Sequence, residues 1–145
     1  MTEIVYQWSD IWLLQSIIIG GGEKGASLFN IVSTGDALNH AIFTDEELES
    51  GFSRLTAGDL IVDEENKFFP TEKAIQIYEK ASKRGGSIYT IRERLQKLLK
   101  ASPYDPKQKY PNPNNNLKYP GFSSKAIEEA TDQWHKEAKR IMKKK

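Results

Sequence analysis

The chain has 145 residues, of which 38% are hydrophobic and 28% are charged, so one domain, or a small domain with an extension, is expected. It has no cysteine, which excludes a disulfide scaffold, thiol catalysis and zinc sites built on cysteine. The net charge is +1, but residues 1–85 contain 7 Lys or Arg against 14 Asp or Glu, net −7, whereas residues 86–145 contain 14 against 6, net +8. Such an uneven distribution is a physical clue about partners.

The first predicted helix starts at a cap provided by Ser9 or Asp10, whose side-chain oxygens can satisfy free N–H groups of the first turn. It extends to about Ile19 and ends at the glycines of residues 20–22. Its buried face consists of apolar residues at helical spacing: Leu13, Leu14, Ile17 and Ile18. The apolar run of residues 11–20 is too short to span a membrane, and acidic rather than basic residues precede it. We therefore expect a cytoplasmic protein without a secretory signal.

The second and third helices are predicted between residues 27 and 57. The second, over residues 27–41, is expected to bend or split at Gly35, because glycine weakens a helix interior. The third opens with a capping box, in which Thr44 and Glu47 each bond the backbone N–H of the other. Its apolar stripe has i, i+4, i+7 spacing: Leu48, Phe52 and Leu55. Gly51 lies inside that stripe, where a close contact between helices is expected.

A β-hairpin and a fourth helix follow. Residues 60–62 and 67–70 are short runs of β-branched and aromatic residues on either side of a polar turn at residues 63–66, which is typical of a hairpin. Thr71 is predicted to cap the next helix, and the glycines at 85 and 86 end it.

The rest of the chain predicts two more helices separated by a linker. The fifth helix starts at Ser87 and is amphipathic. Its apolar residues are Ile88, Ile91, Leu95, Leu98 and Leu99, and its opposite face carries Arg92, Arg94, Lys97 and Lys100. Residues 102–122 contain five of the six prolines and show no helical period, which indicates an irregular or extended linker. The last helix starts at Ser123 or Ser124, includes Trp134 in its apolar stripe and ends in a basic tail.

The order of the first elements resembles a winged helix-turn-helix domain. The segment Phe43–Ile61, F-T-x-E-E-L-x-x-x-F-x-R-L-x-x-x-x-L-I, and the following F-F-P-T-E-K-A are similar to the recognition helix, wing and next helix of MarR-like and PadR-like regulators. Arg54-Leu55, Leu60-Ile61 and Pro70–Ala74 occupy the places of the "RL", "LI" and "LTEKG" signatures of those families. The resemblance covers residues 8 to about 82 and implies DNA-binding transcriptional regulation.

The expected fold is therefore mainly α with a small β-hairpin, and it has four parts. Residues 8–85 form a winged-helix domain, and residues 87–101 form the amphipathic helix. Residues 102–122 are a linker rich in Pro and Asn, and residues 123–145 are a basic C-terminal helix and tail.

The surface that the resemblance would place on DNA is mainly acidic. Its candidates for DNA contact are Ser50, Ser53, Arg54 and Lys67. The carboxylates on the same surface form an acidic interaction face: Glu46, Glu49, Asp63, Glu64 and Glu65. Carboxylates at a helix N-terminus are favourable, which explains part of this acidity. DNA-binding proteins nevertheless obtain most of their affinity from phosphate contacts, so the remaining acidity disfavours DNA contact here.

Two functions from different classes fit this pattern. The first is a protein-interaction or regulatory module, in which the acidic face meets a protein partner or the chain's own basic half, in cis or across a homodimer. Its partner-helix anchors are Leu95, Leu98 and Trp134. The alternative is a DNA-binding transcriptional regulator, in which a basic tail would add phosphate contacts to those of the four DNA-contact candidates. The basic tail consists of Lys136, Lys139, Arg140, Lys143, Lys144 and Lys145. Weak adhesion of that tail to an acidic membrane surface is a third alternative.

No motif predicts catalysis, a cofactor or a metal site. The two histidines, His40 and His135, have no ligand neighbours at metal-binding spacing. The glycine-rich segment of residues 20–27 departs from the P-loop pattern, because Lys24 precedes its last glycine and a helix rather than a strand precedes the segment. We therefore expect a non-enzymatic protein without a cofactor.

Overall fold

A computed structural model of the protein describes residues 4–102 and 124–143, without the side chains of Ser124 and residues 141–143. Within these residues the chain forms six α-helices, a 3-10 turn at Gly22–Lys24 and a two-stranded antiparallel hairpin. The elements, in chain order, are α1 (Trp8–Gly21), α2 (Leu28–Asn39), α3 (Asp45–Ala57), β1 (Ile61–Glu64), β2 (Lys67–Pro70), α4 (Glu72–Ser82), α5 (Ile88–Leu98) and α6 (Ser124–Lys143). The expected class, mainly α with a small hairpin, is confirmed. Nearly all of the predicted linker lies outside the described residues.

Helix α1 lies at the centre of the fold. It packs against α2, α3, α5 and β2, and every residue from Ser9 to Ile17 is buried. Buried polar side chains usually form internal hydrogen bonds. The Ser16 hydroxyl does so by donating to the Trp12 carbonyl oxygen over 2.8 Å. The helix begins one residue before the predicted cap, because the Asp10 carboxylate accepts from the backbone N–H of Gln7 over 2.9 Å.

Helix α2 continues through Gly35 without the expected break. Two neighbours use the space and the carbonyl that Gly35 provides. The Phe43 ring lies where a side chain at Gly35 would be, and the indole N–H of Trp12 donates to the Gly35 carbonyl oxygen over 2.9 Å. The rings of Trp12 and Phe43 are stacked with centroids 3.7 Å apart. The glycine therefore serves packing between α1 and α2 and does not split the helix.

Helix α3 begins with the predicted capping box. The Thr44 N–H donates to a Glu47 carboxylate oxygen over 2.9 Å, and the Glu47 N–H donates to the Thr44 hydroxyl over 3.1 Å. The predicted stripe is fully buried: Leu48, Phe52 and Leu55. A methyl group built on Gly51 would come within 2.6 Å of a Leu13 methyl, so this glycine allows α1 and α3 to approach closely, as expected.

The hairpin pairs Ile61 with Pro70 and Glu64 with Lys67 at its two ends. Ala26, between α1 and α2, adds a bridge to its other edge, with N–H···O distances of 2.8 and 2.9 Å to and from Phe68. The Phe68 ring stacks on Phe52 of α3, with centroids 4.2 Å apart. These contacts hold the hairpin against α1 and α3.

Helix α5 shares this core. It packs against α1 and α4, Leu95 is completely buried, and the N–H of Ser102 donates to the Tyr6 carbonyl oxygen over 3.0 Å. The apolar stripe predicted for the helix is only partly covered, since Ile88 and Leu98 are exposed. Leu95 is therefore already buried in the chain's own core, and the prediction that Leu95 anchors a partner helix is wrong.

Helix α6 lies against α2 and touches α3. Its N-terminal half carries the contact, because Ile127 and Ala130 are buried. The Trp134 ring meets the Phe29 ring edge to face at 6.2 Å, and its indole N–H donates to an Asp36 carboxylate oxygen over 2.9 Å. Trp134 thus anchors α6 to its own domain.

Candidate functional site

Arg54, the only basic residue of α3, points into the protein. Its side chain is 1% exposed and forms a two-pronged ion pair with Asp10 of α1, with Nε–Oδ2 and Nη2–Oδ1 distances of 2.6 and 2.9 Å. Nη2 also donates to the Ser50 hydroxyl over 3.1 Å. A guanidinium held in this way does not reach a phosphate, so the prediction of Arg54 as a DNA contact is wrong. The apolar stripe places the core only on the side of α3 that carries Leu48. Helix α1 also packs against the adjacent side, which carries Arg54.

The other DNA-contact candidates are also constrained. Ser50 is buried, and its hydroxyl donates to the Glu46 carbonyl oxygen over 2.6 Å, so it too is excluded as a surface contact. The half-buried Ser53 donates in the same way to the Glu49 carbonyl oxygen over 3.0 Å. Lys67 is exposed at the start of β2, across the hairpin from Glu64. Of the four candidates, Ser53 and Lys67 remain at the surface.

The accessible charge on α3 is entirely negative. Asp45 and Glu46 are exposed, and Glu47 and Glu49 are half-buried. Burial raises the pKa of the Glu47 carboxyl above its ordinary value, against the hydrogen bonds from Thr44, which lower it. Between Asp45 and Ala57 the sequence contains one cation, Arg54, and that side chain is buried.

The hairpin extends the acidic character. Asp63, Glu64 and Glu65 are all exposed. We call these three residues together with Glu46 and Glu49 the acidic face, the set expected from the sequence. The structure places all five at least partly in contact with solvent.

The tip of the hairpin has an unfavourable backbone conformation. Glu65 and Asn66 form a two-residue loop with φ values of 52° and 65°, the left-handed pair that a type I′ turn requires. Asn and Gly adopt this conformation readily, whereas a residue such as glutamate does so at a cost of about 1 kcal/mol. The glutamate at this position therefore places a charge at the tip at the expense of stability.

Comparison with known proteins yields no relative. No protein family, curated protein or solved structure matches the chain.

Residues 4–102 and 124–143 form neither a side-chain cluster suited to a metal ion nor a helix suited to a membrane span. That part of the chain contains no group of three or more His, Asp or Glu side chains placed to hold a metal ion. It also contains no helix both long enough and apolar enough to cross a membrane.

A second buried arginine lies on α5. The sequence predicts Arg92 on the exposed face of that helix, but the side chain is 3% exposed. Its Nε donates to the Gln15 side-chain oxygen over 2.9 Å and its Nη2 to the Leu38 carbonyl oxygen over 3.0 Å. The guanidinium lies 5.4 Å from the ring centroids of both Trp8 and Tyr89. Burial lowers the pKa of Arg92 from its ordinary value.

The basic residues of α6 are exposed. Lys136, Lys139 and Arg140 all reach solvent, and Arg140 donates to a Glu137 carboxylate oxygen over 2.7 Å. The side chain of Lys143 and residues 144 and 145 lie outside the described part of the chain. Leu98, at 38% exposure, remains accessible as an apolar contact.

Proposed function

We propose that the chain is a non-enzymatic protein with a winged-helix layout that acts as a protein-interaction or regulatory module through its acidic face. The layout is supported by the order α1, bridge at Ala26, α2, α3, hairpin and α4. One observation carries the function. Burial of Arg54 leaves α3 with no cation at its surface, so the helix that would face DNA in this layout presents carboxylates alone.

The chemistry of this surface favours a basic protein segment. Bringing carboxylates to a phosphate backbone places like charges together, which costs free energy and slows association. The same carboxylates attract Lys and Arg side chains and steer their approach. The exposed Glu65 at the strained hairpin tip supports this reading, because the charge is placed where stability alone would favour Asn or Gly.

Titration of the full-length protein with a short Lys/Arg-rich peptide, followed by NMR at low and high salt, tests the proposal. We expect shifts confined to α3 and the hairpin that weaken as salt rises. Removing the exposed charges Glu46, Glu64 and Glu65 by substitution with Gln should weaken binding about tenfold, since three surface pairs of modest strength are lost. A control with Glu23, Glu79 and Glu128 replaced by Gln loses the same charge from exposed positions elsewhere and should bind normally.

The alternative, a DNA-binding regulator, depends on Ser53, Lys67 and the exposed cations of α6. In that case duplex DNA would bind with a steep salt dependence, and Lys67→Gln would weaken the binding. Tight DNA binding that is insensitive to the acidic-face substitutions but sensitive to Lys67 would contradict the interaction-module proposal.

A further inference from the structure

A basic cleft lies between α4 and α5, two helices that do not carry the acidic face. It has a volume of about 510 Å³ and is lined by five cationic side chains: Lys80, Lys83, Arg84, Arg94 and Lys97. Ala81 and Leu98 form the rest of its wall. Between Lys80 and Lys100 the sequence contains a single carboxylate, Glu93, and it does not line the cleft. We define these five cations and Leu98 as the α4–α5 cleft.

Arg94 is a fixed cation in this cleft. Its Nη1 donates to the carbonyl oxygens of Ala81 and Gly85 over 2.9 and 2.6 Å. The Ala81 carbonyl lies in the last turn of α4, where a cation is favourable, and the Gly85 carbonyl lies in the connection that follows the helix. Gly85 and Gly86 have φ values of 69° and 112°, so glycines shape the connection that brings α5 back to α4. Nη1 makes both bonds, so Nε and Nη2 still have N–H groups that can donate to a ligand.

The other four cations lie on α4, on α5 and on the segment between them. Lys80, Lys83, Arg84 and Lys97 are exposed, and in the described part of the chain none lies within 4.0 Å of a carboxylate. Like charges that line one concavity repel each other and raise the local potential by several kT, which draws in anions. Five positive charges match a group that carries several negative charges better than they match a single phosphate.

The shape of the cleft indicates a small ligand. A volume of about 510 Å³ lies within the usual range of small-molecule sites, whereas a duplex needs a longer surface. Leu98 is 38% exposed beside the cations, so an apolar surface adjoins the charged one. We propose that the α4–α5 cleft binds a small molecule that joins a polyphosphate group to an apolar or aromatic moiety, as a nucleoside triphosphate does.

Calorimetric titration of the full-length protein with ATP tests this site, and inorganic tripolyphosphate tests its charged part alone. We expect saturable binding of ATP that weakens at least tenfold in the double variant Lys83→Gln, Arg84→Gln. The matched control, Lys136→Gln with Lys139→Gln, removes two exposed cations of α6 and should bind as the parent does. Circular dichroism verifies that both variants fold.

A third variant separates the two parts of the ligand. Leu98→Ala should weaken ATP binding several-fold and leave tripolyphosphate binding unchanged. The absence of saturable ATP binding, or equal weakening by the cleft and control variants, would overturn the proposal. Tighter, cleft-dependent binding of duplex DNA than of ATP would also overturn it, in favour of a nucleic-acid surface. None of these results depends on the acidic face, so the two proposals succeed or fail independently.

Discussion

At the residue scale, two buried arginines connect the later helices to α1. Arg54 of α3 meets Asp10, and Arg92 of α5 meets Gln15. Both partners belong to α1, the helix that is buried on all sides. Burial of a charge is tolerated when it is paired and hydrogen-bonded, so these contacts fix where α3 and α5 lie along α1. The same contacts remove both arginines from any external ligand.

Replacing either partner of the Asp10–Arg54 pair should destabilise the protein strongly. Asp10→Leu or Arg54→Met leaves one buried charge unpaired, which typically costs about 3–5 kcal/mol. The double variant leaves no unpaired charge and should cost clearly less than the two single changes together. Urea unfolding of the parent, both single variants and the double variant measures this coupling. Lys67→Met, at an exposed position, is the control, and strictly additive losses would contradict the pairing.

Glu47 should make stability depend on pH. Burial raises the pKa of its carboxyl, so ionisation of Glu47 destabilises the folded state, and this penalty is fully present at pH values above the folded pKa. Lowering the pH through the folded pKa begins to remove the penalty, which is absent below the unfolded pKa. Glu47→Gln keeps an acceptor for the Thr44 N–H without the charge. Its stability relative to the parent should therefore be most favourable near pH 7 and should decline toward pH 4. Denaturant unfolding across this range measures the trend; a relative stability independent of pH would exclude it.

At the element scale, local signals predict helix ends better than they predict which faces are covered. The capping box of Thr44 and Glu47 and the stripe of α3 are present as expected, because both arise from residues three or four positions apart. The continuity of α2 at Gly35 and the burial of Arg54 depend on Phe43 and Asp10. Such contacts join residues that the sequence pattern does not relate. The sequence therefore predicts the acidic face but not the burial of Arg54, the only cation of α3.

The protein should become more stable when the two residues at the hairpin tip are replaced by ones that favour a type I′ turn. Replacing Glu65 and Asn66 by Asn and Gly fits the two positive φ angles and should raise the free energy of unfolding by about 1 kcal/mol. The same variant should bind the Lys/Arg-rich peptide more weakly, since it loses a charge of the acidic face. Thermal unfolding and peptide titration measure the two effects.

The matched control for the hairpin variant is Glu64→Asn. It removes the same charge from the neighbouring strand position. The left-handed backbone conformation of Glu65 stays as it is, so this variant should not stabilise the protein. A hairpin variant that is more stable and binds the peptide normally would show that the charge of Glu65 has no part in recognition.

At the scale of the whole molecule, acidic and basic side chains lie on different elements. The acidic face belongs to α3 and the hairpin, whereas the cations gather at α4, α5 and the exposed half of α6. The counts along the sequence predict an acidic and a basic half, but Lys80, Lys83 and Arg84 of the cleft belong to the half with net charge −7. The sequence does not predict that α5 belongs to the central core or that lysines from two helices line one cleft, because both depend on the packing of α4 and α5.

The docking of α6 should be weaker than the central core. Its described contacts are concentrated at Ile127, Ala130 and Trp134, whereas α1 is enclosed by four elements. Trp134→Ala removes the contact with Phe29 and the hydrogen bond to Asp36. We expect faster hydrogen exchange in α6 and unchanged protection in α1, since local opening requires less free energy than global unfolding.

The control for this experiment is His135→Ala, at the adjacent exposed position, which should leave the exchange of α6 as it is in the parent protein. Equal loss of protection in α1 and α6 after Trp134→Ala would mean that the two helices open together. In that case α6 would be part of the central cooperative unit, and a partner that displaces α6 would also have to unfold the core. Exchange confined to α6 would instead allow the face of α2 beneath Trp134 to be uncovered while the acidic face on α3 and the hairpin stays folded.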